Sequence, residues 1–267
     1  MKLSTEQSPF SKSIVFGAAK TGKTRLVGRL AQHYRLDYID GENGSSTFLS
    51  KDNLLPEYLN NINLFRLPDD GDNGIMFTSV YRMLTTDKTT ICDMHGKADC
   101  KDCEKANLPS TPFSILENNP DRIIVIDSLT QLTTSCMAYI TRGKPDDYKY
   151  QIDDWGKLKA YMERLFSIIQ IARANIVCIT HEEVAEFEDG KKRIVPVAGS
   201  SKFAITTSKY FDTVVYTEQR GGAFVASSGP GKVPNVLTGS RLNIKTEDMT
   251  KLYTPLQAIY TKGIILP

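Results

Sequence analysis

The chain of 267 residues has the length of one large domain, or of one domain that carries an insertion. Its hydrophobic share of 40% and charged share of 24% are ordinary for a globular protein, and its net charge of +2 does not by itself indicate a nucleic-acid binder. No apolar run approaches the roughly 18 residues of a membrane span, and the N-terminus lacks the apolar core of a signal peptide. We therefore expect a cytoplasmic protein whose five cysteines are reduced or bind a metal.

The first predicted strand, Ser13 to Phe16, leads into the sequence GAAKTGKT, which we call the glycine-rich turn. It fits the pattern G-x-x-x-x-G-K-[ST] between a strand and a helix, and this pattern predicts a phosphate-binding loop for ATP. Lys23 would reach the β- and γ-phosphates, and Thr24 would ligate Mg²⁺. The predicted nucleotide-binding residues are Gly17, Ala18, Ala19, Lys20, Thr21, Gly22, Lys23 and Thr24.

A second predicted strand, Leu36 to Asp40, ends two residues before Glu42 in the glycine-flanked sequence YIDGENG. From this strand end the Glu42 carboxylate can reach over a bound nucleotide, where it would orient and deprotonate the attacking water. Taken alone, Glu42 could equally be a solvated loop residue.

A polar, lysine-rich segment at 85–109 is predicted to be an insertion between two parts of the sheet. It presents Cys92, His95, Cys100 and Cys103 with the spacing C-x2-H-x4-C-x2-C. Three thiolates and one imidazole form a standard structural zinc site, and metal binding would fold a segment too polar to have its own core. The alternative is a set of free surface thiols.

The third predicted strand, Arg122 to Asp127, delivers a carboxylate at its end, where ligands of open α/β sheets bind. Asp127 would hold Mg²⁺ through water, although an aspartate here could also be the N-cap of the next helix. Many P-loop ATPases have their catalytic glutamate directly after this aspartate, whereas here Ser128 follows. The catalytic base must then come from elsewhere, and this favours Glu42.

A helix is predicted from about Asp153 to Ala174, and its apolar stripe is expected to face the core. The stripe consists of Trp155, Leu158, Met162, Leu165, Ile169 and Ala172. The fourth strand, Asn175 to Thr180, is followed by His181, which could contact the γ-phosphate and signal its loss, or could be structural. Cys136 and Cys178 lie in apolar segments and are expected to be buried.

Beyond His181 the segments AEFEDGKKRIVPV, FDTVVYTE and AFVASS are predicted to form antiparallel strands and hairpins. Alternation of aliphatic strands with amphipathic helices before them predicts parallel strands with crossover helices. The fold class is therefore α/β, a mostly parallel sheet between helices with antiparallel strands at the C-terminal side and a small zinc-binding insertion.

The order of these motifs resembles the RecA family, in particular the core-only RecA-like ATPases of bacteriophages that act in single-strand annealing and recombination. The resemblance rests on GAAKTGKT, YIDGENG, RIIVIDSLTQL, NIVCITHEE and GSSKFAITTSKYFDTVVYTE, which frame most of the chain from Ser13 to Glu218. It implies one RecA-like ATPase domain over residues 1–267 that uses ATP and Mg²⁺.

The resemblance also implies two loops that face single-stranded DNA, one at Arg142 to Gln151 and one at about Glu183 to Ser201. Basic and aromatic side chains there could contact phosphates and stack on bases. The candidates are Lys144, Tyr148, Lys149, Lys191, Lys192 and Arg193. On sequence alone, EDGKKR could also be a solvated hairpin tip.

In the RecA family ATP often lies between protomers of a homo-oligomer, and a neighbour supplies basic residues. Lys202 and Lys209 are the candidates for this role in trans. Two other functions remain open, a nucleotide-gated adaptor such as a helicase loader and a P-loop kinase for a small molecule. His181 stands where bacterial RecA has an amide side chain, so annealing is a safer expectation than strand exchange.

Overall fold

The computed structural model describes residues 10–50, 53–69, 71–117, 119–229, 233–241 and the backbone of 247–248. Its strands are β1 (Lys12–Gly17), β2 (Arg35–Asp40), β3 (Ile62–Arg66), β4 (Thr89–Cys92), β5 (Ser110–Phe113), β6 (Arg122–Asp127), β7 (Asn175–Thr180), β8 (Glu182–Glu186), β9 (Lys192–Pro196), β10 (Thr213–Arg220), β11 (Ala223–Ser227), β12 (Gly239–Ser240) and β13 (Glu247–Asp248). Its α-helices are α1 (Lys23–Gly28), α2 (Ile75–Thr85), α3 (Lys101–Lys105), α4 (Leu129–Thr141), α5 (Ile152–Ile171) and α6 (Ser201–Thr207). Short 3₁₀ segments lie at Arg29–Gln32, Gly44–Leu49, Pro56–Asn61 and Ser208–Tyr210.

One large sheet organises the described part of the chain, with the strand order β13-β11-β10-β1-β7-β6-β2-β3 and β12 paired to β10. The strands from β10 to β3 in this order run parallel, whereas β11, β12 and β13 are antiparallel. This arrangement confirms the predicted α/β class. The four predicted strands are all present, and β3 is a further parallel strand that the sequence analysis missed.

Successive residues of each strand point to opposite faces of the sheet, and each face is covered by its own hydrophobic core. In β1, Ile14 and Phe16 face one core while Val15 faces the other. The first core also contains side chains from α2, α4 and α5, and the second contains side chains from α1 and the 3₁₀ segment after it. Period-two alternation of apolar residues in a strand covered on both faces accounts for this three-layer architecture.

Three predictions about the C-terminal half need correction or refinement. Strand β10, predicted to be antiparallel, pairs parallel with β1 and antiparallel with β11 and β12. Trp155 does not belong to the core, since it is 43% exposed, while Ala172 follows the end of α5 and is only partly buried. The burial of Cys136 and Cys178 is confirmed.

The insertion is built on the β4–β5 hairpin, in which Thr89 pairs with Phe113 and Cys92 with Ser110. Its residues Ile91 and Phe113 are buried in the same core as α2 and α4. The hairpin of this segment therefore packs its apolar residues into the main core.

Candidate functional site

Four parallel strands end at one edge of the sheet and bring the predicted catalytic residues together. The glycine-rich turn follows β1, Glu42 follows β2, Asp127 ends β6, and His181 follows β7. Strand β7 lies between β1 and β6, so His181 is placed between the turn and Asp127. Carboxyl ends of parallel strands share one edge, and this explains why residues far apart in sequence meet here.

The glycine-rich turn is fixed by its glycines and by contact with β10. A Cβ atom on Gly17 would lie 2.2 Å from the carbonyl oxygen of Thr217, so no side chain fits there. Gly22 has a left-handed backbone with φ of 84° directly before α1. The Thr21 hydroxyl lies 2.8 Å from the Thr217 hydroxyl, which ties the turn to the neighbouring strand.

Lys23 is buried at the start of α1, beside the main chain of the turn. Its ammonium group donates to the carbonyl oxygens of Gly17 (2.9 Å) and Ala18 (2.7 Å). Burial lowers the pKa of Lys23, and the nearby carboxylates of Asp127 and Glu42 partly oppose this effect. The position is that of a cation able to bind phosphate oxygens carried by the turn.

Asp127 is only 2% exposed, and two hydroxyl groups donate to the same carboxylate oxygen, Oδ2. Thr24 Oγ1 lies 3.0 Å away, and the second donor is the buried Tyr38 hydroxyl. Burial raises the pKa of Asp127 to about 6, although both hydrogen bonds work in the opposite direction. A hydroxyl and a carboxylate side by side are oxygen ligands of the kind that Mg²⁺ prefers.

Glu42 contacts side chains from two other strand ends. Its Oε1 accepts a hydrogen bond from the Ser128 hydroxyl, and its Oε2 lies 3.5 Å from His181 Nε2. Ser128 also caps α4 by accepting from the backbone N–H of Gln131 at 3.2 Å. Glu42 is therefore held at the site by named partners, although its side chain is still 32% exposed. Ser128 rather than Asp127 is the N-cap.

Asp40 is a functional residue whose role the sequence analysis did not assign. It is 3% exposed, and its carboxylate accepts from the backbone N–H groups of Glu42 (3.2 Å), Gly44 (3.1 Å) and Ser45 (3.0 Å). An aspartate that binds amides a few residues ahead is a turn-forming signal, and YIDGENG contains it. Asp40 thus shapes the turn that presents Glu42.

These side chains line one cavity of about 370 Å³. Its lining joins Lys23, Thr24, Glu42, Asp127, Ser128 and His181 with the additional residues Arg25, Thr47, Asn53 and Phe224. The Arg25 guanidinium lies over the Phe224 ring at 5.7 Å from its centroid. Sequence reasoning missed this pair because β11 is brought to the turn only by the pairing of β10 with β1.

The residues between Cys92 and Cys103, which we call the cysteine knuckle, bring all four predicted metal ligands together. Their ligand atoms lie within 4.8 Å of one another. His95 Nδ1 is 3.9 Å, 3.8 Å and 3.2 Å from the sulfur atoms of Cys92, Cys100 and Cys103. Tetrahedral zinc with ordinary bond lengths would place nitrogen and sulfur about 3.6 Å apart, so the cluster fits this ion.

The predicted DNA-binding residues lie on two exposed segments, the loop between α4 and α5 and the hairpin formed by β8 and β9 (the β8–β9 hairpin). Lys144, Lys149, Lys191 and Lys192 are exposed. Tyr148 is half-buried, with its hydroxyl donating to Asp154 at 2.7 Å and Lys144 Nζ above its ring at 5.3 Å. Arg193 is paired with Asp189 at 2.6 Å, so these two side chains already have partners in the chain.

Lys202 and Lys209, predicted to act on a neighbouring protomer, are exposed on and just after α6. Neither of them lines the cavity of its own chain. Lys209 Nζ lies 4.8 Å from the centroid of the Tyr210 ring.

The glycine-rich turn on β1, the buried aspartate on β6 and the parallel sheet together define a P-loop nucleoside triphosphatase. A family model described as an AAA domain matches residues 10–232, so the chain belongs to this family of ATPases. Comparison with curated proteins gives no match. Among the described residues, no helix has the length and apolarity needed to cross a membrane.

Proposed function

We propose that this AAA-domain ATPase is RecA-like and couples ATP hydrolysis to the binding of single-stranded DNA, as in the phage annealing proteins that its motifs resemble. The observation that carries the proposal is the position of Glu42, just after the strand that pairs with the strand of Asp127, and in contact with Ser128 and His181. Because the proposed base, Glu42, comes from the turn after β2, the residue after Asp127 need not be the base. That residue, Ser128, can instead position Glu42.

In the proposed reaction Lys23 binds the β- and γ-phosphates, while Thr24 and Asp127 hold Mg²⁺. When bound, the ion would help to neutralise the negative charge that develops on the phosphate. Glu42 accepts the proton of the attacking water, and the Ser128 hydroxyl fixes the direction of its carboxylate. Phe224 and Arg25 line the same cavity and would contact the nucleotide base.

The β8–β9 hairpin connects the cavity to the proposed DNA surface. His181 directly precedes β8, and its carbonyl oxygen accepts from the backbone N–H of Val197 at 2.9 Å, just after β9. Both strands of the hairpin therefore meet the sheet beside the Glu42 carboxylate. Lys191 and Lys192, near the far end of the hairpin, supply the charge that would bind phosphates of a DNA strand.

Helix α4 connects the cavity to the second proposed DNA-binding segment, because Ser128 caps its N-terminus at the cavity and the loop follows its C-terminus. Lys144 and Lys149 in this loop are the proposed phosphate contacts.

The proposal also includes a homo-oligomer in which Lys202 and Lys209 approach the nucleotide of a neighbouring protomer. Exposed lysines remote from their own cavity are compatible with action in trans.

The first test is steady-state ATP hydrolysis by wild type and Glu42→Gln, with and without a single-stranded oligonucleotide. The matched control is Glu57→Gln, which changes an exposed glutamate outside the cavity lining. We expect stimulation by the oligonucleotide in wild type and control, and a loss of turnover of about 10²- to 10⁴-fold in Glu42→Gln. ATP affinity should stay within a factor of about two, since the amide keeps the shape of the carboxylate.

A double variant, Lys191→Ala with Lys192→Ala, separates DNA binding from hydrolysis. Its basal turnover should equal that of wild type, while the oligonucleotide should stimulate it less and bind it with a shallower salt dependence. Turnover that ignores DNA in wild type would contradict the proposal and favour the adaptor. Phosphate transfer to a nucleoside would instead identify a kinase.

A further inference from the structure

We infer that Cys92, His95, Cys100 and Cys103 bind one zinc ion, and that this zinc centre holds α2 in the position from which it orients the turn of Glu42. The first part stands on the knuckle alone, whereas the second rests on the proposed catalytic role of Glu42. A series of contacts leads from the cysteine knuckle through α2 to the catalytic edge of the sheet.

The ligand set defines a closed structural site. Three sulfur atoms and one ring nitrogen fill the four positions of tetrahedral zinc, which leaves none for water or substrate. Cys92 and Cys103 are buried, and Cys100 is partly exposed. The four ligand atoms converge within 4.8 Å of one another, and this geometry is one that a bound metal would stabilise.

The cysteine knuckle is attached to α2 by Ser79, a side chain only 2% exposed. Its hydroxyl donates to the carbonyl oxygen of Gly96 at 2.9 Å and accepts from the backbone N–H of Ala98 at 3.1 Å. Both partners lie between His95 and Cys100. Further along the helix, Arg82 Nε donates to Asp99 at 3.0 Å.

The knuckle is also pressed against the end of β3. A Cβ atom on Gly96 would lie 2.5 Å from the carbonyl oxygen of Arg66 and 2.7 Å from the Cα of Leu67. Gly96 has a left-handed backbone with φ of 64°, so glycine is needed here for conformation as well as for space. Zinc ligation on both sides of this glycine would therefore lock the knuckle between α2 and the sheet.

Helix α2 in turn contacts the turn of Glu42. Met76, one helical turn before Ser79, is fully buried, and a Cβ atom on Gly41 would lie 2.3 Å from its sulfur. Gly41 is the residue directly before Glu42. A shift of α2 by a fraction of an ångström therefore moves Met76 against the backbone that aims the carboxylate.

The same helix is bound to α4, whose N-cap is Ser128. The backbone N–H of Phe77 donates to the buried Ser135 hydroxyl at 2.9 Å, and Gly74 fits against the Ser135 carbonyl, where a Cβ atom would be 2.5 Å away. Helix α2 thus contacts the residue directly before Glu42 and the helix that Ser128 caps. Helix α1 packs against the other core, so we expect ATP affinity to depend less on α2 than the rate of hydrolysis does.

The inference predicts that loss of zinc lowers the rate of hydrolysis without lowering ATP affinity. The test uses the full chain with Cys100→Ser, which removes the most exposed of the three thiol ligands, and Cys136→Ala, which removes a thiol outside the cluster. Metal analysis should find one zinc per chain in wild type and Cys136→Ala, and much less in Cys100→Ser. Hydrogen exchange in Cys100→Ser should increase in α2 and in residues 41–44, but not in α1.

Ser79→Ala tests the link between the knuckle and α2 without touching a ligand. Its control is Thr78→Ala on the solvent side of the same helix, where the hydroxyl bonds only within the helix. Ser79→Ala should keep its zinc yet lose about tenfold in kcat, since small displacements of a catalytic group are costly, and its ATP affinity should be unchanged. Thr78→Ala should match wild type in every measurement.

The outcomes separate the two proposals. Absence of zinc in wild-type protein purified with zinc present would overturn the metal site. Normal zinc content with unchanged exchange at residues 41–44 in Ser79→Ala would overturn the link to the Glu42 turn. Increased exchange there with unchanged turnover would support the link and refute the catalytic role of Glu42 instead.

Discussion

Replacement of Tyr38 by phenylalanine tests how the buried carboxylate of Asp127 is stabilised. Tyr38 is fully buried, and its hydroxyl is one of two that donate to Asp127 Oδ2. The substitution keeps the ring, which packs against Phe48 at 4.9 Å between centroids, and removes only the donor. A hydrogen bond to a charged acceptor contributes about 1.5–3 kcal/mol, against about 0.5–1.5 kcal/mol for a neutral one.

The pKa of Asp127 sets the pH range of this effect. Burial raises that pKa from 3.8 to about 6 in the folded protein. The native state therefore binds more protons than the unfolded chain, and wild type loses about 3 kcal/mol of stability as pH rises from about 4 through 6. Without the Tyr38 hydroxyl the folded pKa is higher still, so the loss continues to a higher pH.

The assay is urea unfolding of wild type and Tyr38→Phe in magnesium-free buffer at pH 5 and pH 8. We expect the variant to lose about 1.5–3 kcal/mol at pH 8, where the carboxylate is charged, and less at pH 5. Tyr150→Phe, at a tyrosine that is 52% exposed, should change the free energy of unfolding by less than about 0.5 kcal/mol. Equal losses at both pH values would refute the reasoning, because they would show that the bond does not depend on the charge of Asp127.

Two further predictions concern the sheet and the cavity. Asp37→Asn breaks the buried pair of Asp37 with Arg122, whose side chains are 3% and 2% exposed, and should cost about 3–5 kcal/mol in urea unfolding. Glu104→Gln, which breaks the exposed pair with Lys101, should cost less than about 1 kcal/mol, and equal costs would contradict the role of burial. Phe224→Ala should weaken ATP binding about two- to tenfold by calorimetry while leaving tripolyphosphate binding unchanged, because an aromatic contact to the base is lost. Equal weakening of both ligands would place the base elsewhere.

The main strands and the glycine-rich turn could be predicted because they depend on local sequence. An apolar run such as Arg122–Asp127 indicates a buried strand even when its neighbouring strands are not known. The pattern of the glycine-rich turn likewise determines the local backbone conformation without information on distant residues. Strand β3 was missed because it lies at the end of the parallel series and only Phe65 in it is buried, which leaves a weak apolar signal.

Contacts between distant segments could not be predicted in the same way. A strand such as β10 has the same residue pattern whether its neighbour is parallel or antiparallel, so its pairing with β1 is decided by tertiary structure. Trp155 has the right spacing for the core but lies near the start of α5 and is 43% exposed. The partners of Glu42 and Asp127 likewise become visible only when the strand ends meet.

The attachment of the β8–β9 hairpin has a mechanical consequence. Its base is closed beside the nucleotide cavity, where Thr180 Oγ1 donates to the Val197 carbonyl at 2.6 Å, and its inner residues Ala185 and Val195 pack against Ala204 of α6. Strand β8 is about 17 Å long, so a rotation of roughly 10° at the base would carry the far end about 3 Å. The β8–β9 hairpin and α6 would then rotate as one rigid body about the base of the hairpin. This rotation would move Lys191, Lys192 and Lys202 together.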